Sequence, residues 1–167
     1  MVAAARQDQL NGLAKLVDCM HIAKSAGMPQ LTALAEPPQV LDQRDILSVV
    51  NASVVGGATL SQLDVKLCCE ALKVLFKEMR PTLVPRAAHQ KLKKSVKTAS
   101  KTRQQSVRDV VGTAALDAQS ARLLTRLLSL LASLDAPSVK SAAVWAPLLG
   151  MAGDTQTIAY LIEERCA

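Results

Sequence analysis

The chain has 167 residues and a net charge of +6; half its residues are apolar, and it holds one Phe, one Trp and one Tyr. That length is enough for one domain with a core of its own, and the apolar content excludes a chain disordered by composition. The apolar residues are mostly Ala, Leu and Val, which favour closely packed helices over strands. The expectation is a single all-α domain over residues 1–167. Seven to eight helices would form a compact bundle or a short stack of helical pairs in the manner of HEAT or ARM repeats.

In chain order, Leu10, Leu13, Val17 and Met20 recur at helical spacing, predicting a first helix over 7–25 that ends at Gly27 and Pro29. Pro29 opens a short helix to Glu36, and Pro37-Pro38 closes it. Residues 40–55 place Val40, Leu47, Val50 and Val54 on one helical face. Their β-branched content also suits a buried strand, but helix is preferred because a lone strand lacks a partner. Gly56-Gly57 ends this segment.

Thr59 and Gln62 have capping-box spacing at the head of the next helix, which Pro81 stops. Gln62, Lys66, Glu70, Lys73, Lys77 and Arg80 fall three or four apart and predict a single wet stripe on an otherwise apolar helix near the centre of the domain. Further on, Asp117 is a candidate N-cap for a Leu-rich helix to Leu134. Leu123 and Leu130 exceed what one buried face needs, so they are candidates either for a second apolar interface or for a many-sided core. A helix from Asp135 and Pro137 runs to about Leu149, with a kink or interruption expected at Pro147, and the last helix is capped by Asp154 and packs through Ile158, Leu161 and Ile162.

Between these helices lies the most unusual segment. Residues 80–108 carry nine basic side chains and no Asp or Glu; +9 here against +6 overall leaves −3 for the rest of the chain. Pro85 is suited to start a helix over about 86–111, in which Ala88, Leu92, Val96, Ala99, Val107, Val110 and Val111 trace a thin apolar line. Arg86, Lys91, Lys93, Lys94, Lys97, Lys101, Arg103 and Arg108 then form a basic contact surface. Three readings compete: a merely solvated face, an interface for an acidic protein surface, and a nucleic-acid interface tracking phosphates. Scarce aromatics weigh against base stacking on single strands, and the segment lacks the bulky apolar residues that insert into anionic membranes. Ser95, Thr98, Ser100, Thr102 and Ser106 lie in the same stretch, where added phosphate would cancel positive charge.

Catalytic chemistry is hard to find. His21 and His89 are the only histidines, Cys19 and His21 point in different directions on a helix, and no Cys-x-x-Cys or phosphate-loop motif occurs. No catalytic residue, metal ligand or cofactor is expected. Cys19, Cys68, Cys69 and Cys166 are expected to behave as small apolar residues in a reducing compartment. Residues 46–63 are the longest uncharged run but are too polar to span a membrane. Asp8 and Asp18 argue against a transit peptide. The sequence therefore reads as a non-catalytic helical adaptor or assembly subunit, intracellular and cytoplasmic, with a nuclear nucleic-acid binder as the alternative.

Overall fold

In a computed structural model of the chain, residues 2–25, 27, 29–37, 62–79, 82–102, 111, 116–134 and 137–166 are described. Helix α1 spans Val2–Ser25 and buries Leu10, Leu13, Val17 and Met20, the 3.6-residue face read from the sequence, together with Leu16. Gly27, at φ 74°, turns the chain out of the helix, a conformation glycine adopts without steric cost. The short helix after Pro29 is present, but as a 3-10 helix, Pro29–Ala35. Residues 38–61, including the 40–55 segment and the Thr59 cap, lie outside the described residues.

Helix α2, Gln62–Glu78, meets α1, the 3-10 helix and the helix of residues 138–149, the central position expected of it. Its polar stripe is a different matter. Lys77 is exposed, but Glu70 and Lys73 are buried, Lys73 completely. A buried ammonium is tolerated only when its donors are met, and here all three are. Lys73 Nζ donates to Ala33 O at 2.8 Å, Glu36 O at 3.0 Å and Glu70 Oε1 at 2.7 Å. The end of a helix leaves carbonyls short of partners, and Lys73 meets two at the end of the 3-10 helix: Ala33 O, which also accepts from Glu36 N at 3.1 Å, and Glu36 O just beyond it. Trp145 Nε1 donates to Leu34 O at 2.8 Å, and the Trp145 ring stands edge-on to Phe76 at 5.4 Å. The chain's one Trp and one Phe thus join two helices and cap a third element.

Helix α3, Arg86–Thr102, follows the bend at Leu83 and Val84. Helix α4, Ala118–Ala132, begins where expected: Asp117 is extended and its carboxylate accepts from Ser120 N at 2.8 Å and Ser120 Oγ at 3.0 Å. Leu123, Leu124, Leu127, Leu128, Leu130, Leu131 and Leu134 are all buried, so Leu123 and Leu130 belong to the core and offer no second interface. Helix α5, Ser138–Leu149, contains Pro147 in its last turn, where termination at Gly150 follows rather than a continued, kinked helix. Helix α6, Thr155–Cys166, is capped by Asp154 and buries Ile158, Leu161 and Ile162 as read from the sequence.

The described residues form six α-helices and one 3-10 helix and no strand, an all-α fold. One core cluster draws on every element. A linear stack of pairs keeps contacts between neighbours, whereas α1 packs on α4, about a hundred residues away, and α6 touches α3, α4 and α5. The arrangement closes on itself as a bundle.

Candidate interaction surface

Helix α3 is amphipathic in the simplest sense. Ala88, Leu92 and Val96 are buried, while Arg86, Lys91, Lys93, Lys94 and Lys97 are exposed. At about 100° per residue, those five basic positions cover an arc of about 160°, from Lys93 through Arg86, Lys97 and Lys94 to Lys91. Lys101 lies within α3, and Arg103 and Arg108 lie outside the described residues, as do Val107 and Val110. Val111 is buried.

The helix is held from its other side by apolar side chains and His89. Its main helical neighbour is α6, where His89 Nε2 donates to Asp154 Oδ2 at 2.7 Å. The sequence leaves His89 a structural or incidental role, and its place one residue from Ala88, on the flank of the apolar line, suits the structural one. Burial pushes the Asp154 carboxyl up, but hydrogen bonds from His89 and Thr157 more than offset it and hold the group below the ordinary carboxylate range. Upstream, Val84 N donates to Leu149 O at 3.0 Å, pinning the approach to α3 against the end of α5. Gly150, at φ 92°, makes that approach feasible: a Cβ there would lie under 3 Å from Thr82 and from Val84 O.

Arg86, Lys91, Lys93 and Lys94 form no ion pair among the described residues. Elsewhere, Lys73 pairs with Glu70, Arg126 with Asp18 at 2.6 Å, and Lys140 with Glu36 at 2.7 Å. His21 donates to Arg126 O at 3.1 Å and Gln119 to Asn11 Oδ1, so the other histidine serves the α1–α4 seam.

Three grooves mark the described surface. One between α1 and α2 is apolar around Leu13, Leu16, Leu75 and Met79; one at the end of α5 includes Lys77, Thr82 and Pro147; one between α1 and α4 includes Asp18, Arg122 and Arg126. No histidine or cysteine lines any of the three. Cys68 and Cys69 are buried, and burial, with Cys68 beside it, pushes the Cys69 thiol up to about 12, so both pack as apolar residues. Cys19 is half-buried, and burial followed by the neighbouring Asp18 raises its thiol too. Among the described residues no cluster of three or more His, Cys, Asp or Glu has metal-site geometry, and no helix is long and apolar enough to cross a membrane.

No protein-family model matches the chain, and no curated protein or solved structure does so either. The geometry of α3 is therefore the ground on which function is argued.

Proposed function

We propose that the chain is a non-catalytic helical interaction module that docks an acidic protein surface through the solvent face of α3. The observation that carries this reading is the division of labour within that helix. Apolar side chains and the His89–Asp154 pair attach α3 to the bundle, while Arg86, Lys91, Lys93 and Lys94 stay exposed and outside any ion pair among the described residues. Like charges three or four residues apart repel by a few tenths of a kcal/mol on a helix, and an anionic partner relieves that repulsion. A merely solvated face has no such compensation.

The test is charge reversal. Lys91→Glu, Lys93→Glu and Lys94→Glu together should abolish retention of acidic proteins from a native extract at low salt and leave the melting temperature within about 2 °C of wild type. Unchanged retention would remove α3 as the contact surface. Duplex DNA and structured RNA, offered alone at the same low salt, separate the other reading. Retention of either that falls steeply as salt rises, with acidic proteins ignored, would make phosphate the ligand of this helix instead.

A further inference from the structure

Resting on that reading, we infer that the partner of α3 is a flexible run of Asp and Glu, an acidic tail or linker, recognised by its charge density rather than by a folded complementary shape. The composition of the face is the first reason. Stable interfaces between folded proteins are organised around buried aromatic, Arg or large aliphatic anchors. Among the described residues the large apolar side chains that stand exposed are Ile22 and Val139, on α1 and α5. None is on α3, which sets Arg86 and four lysines toward solvent.

The kind of cation is the second reason. A guanidinium presents a rigid planar fork that rewards a fixed carboxylate geometry, whereas a lysine ammonium is a strongly hydrated point charge on a flexible stem and makes little geometric demand. Four of the five exposed cations are lysines. Such a face attracts anions at long range and releases them readily.

The shape of the face is the third. An arc of about 160° is too wide for one flat, rigid surface to touch from edge to edge; Lys91 and Lys93 would not meet the same plane. An extended acidic chain can pass across the helix and meet both. Because α3 is already anchored through Ala88, Leu92, Val96 and His89, the partner has no folding role to fill and can remain conformationally free while bound.

Two fluorescent peptides of about 20 residues separate the outcomes: one Glu/Ser-rich and flexible, the other with the same acidic residues in scrambled order. Anisotropy against the full chain should show both binding within about twofold of each other, since order is irrelevant to charge density. Affinity should fall roughly tenfold between about 50 and about 200 mM salt, and the combined reversal of Lys91, Lys93 and Lys94 should remove it. The bound peptide should keep the circular dichroism of a disordered chain. If only one order binds, or the peptide becomes helical on binding, recognition is by shape and this inference fails while the acidic-partner reading stands. If neither peptide binds and acidic proteins are still captured through α3, the partner is folded. If neither peptides nor acidic proteins bind, both readings fall together.

Discussion

Helices α2 and α3 are the same length, both carry several lysines, and they treat them in opposite ways. In α2, Lys73 is wholly buried with its three donors satisfied, two of them by carbonyls at and just beyond the end of the 3-10 helix. In α3, the lysines at 91, 93 and 94 face water, and the helix is attached by its apolar line and by His89. The difference is not in the residues. A lysine goes inside where acceptors converge on it, and stays outside where solvent is what it meets. The buried one stabilises the fold, and the exposed ones are those we propose a partner uses.

The largest expected effect breaks the α2 side of that contrast. Lys73→Met removes the buried cation beside the Glu70 carboxylate and a donor to two backbone carbonyls, and stability measured by urea unfolding should fall by about 3–5 kcal/mol. Adding Glu70→Leu should recover part of the loss, since an apolar pair replaces an unpaired charge. A double variant no more stable than Lys73→Met would mean that the carbonyls, not the carboxylate, dominate.

The attachment of α3 comes next. Gly150→Ala forces an L residue into the left-handed region and drives its Cβ toward Thr82 and Val84, for an expected loss of about 2–4 kcal/mol. A loss under about 0.5 kcal/mol would show that residues 82–84 shift freely and do not position α3.

A smaller effect sharpens the His89–Asp154 link. With its folded carboxyl held below the ordinary range, Asp154 binds fewer protons in the folded chain than in the unfolded one as pH falls toward about 4. Its stabilisation is complete above that range and is lost as pH drops through the depressed folded value. Asp154→Asn keeps a residue able to cap α6 but removes the charge, so the gap between wild type and variant, about 1 kcal/mol near neutrality, should close in acid. A gap constant from pH 7 to pH 3 would assign the effect to capping alone.

Smallest of all, the charge reversals at Lys91, Lys93 and Lys94 should change unfolding free energy by no more than about 0.5 kcal/mol in total, because nothing in the bundle depends on them. A larger loss would erase the contrast between the two helices.

Much of this protein was legible locally. The Asp117 and Asp154 caps, the Leu-rich face of α4 and the apolar face of α1 are patterns within a turn or two of helix, set by short-range geometry that any sequence displays. The segregation of charge in α3 is of the same kind, since period and composition suffice to place Lys94 opposite Leu92.

What only the tertiary structure decided is the fate of groups whose partners are far along the chain. Glu70 and Lys73 continue a polar spacing that includes exposed Lys77, and nothing nearby distinguishes them. The carbonyls that draw Lys73 inward belong to residues 37 and 40 positions away, and Asp154 lies 65 positions from His89. Periodicity states which way a side chain points relative to its own helix; whether water or another element waits there is settled when the helices pack.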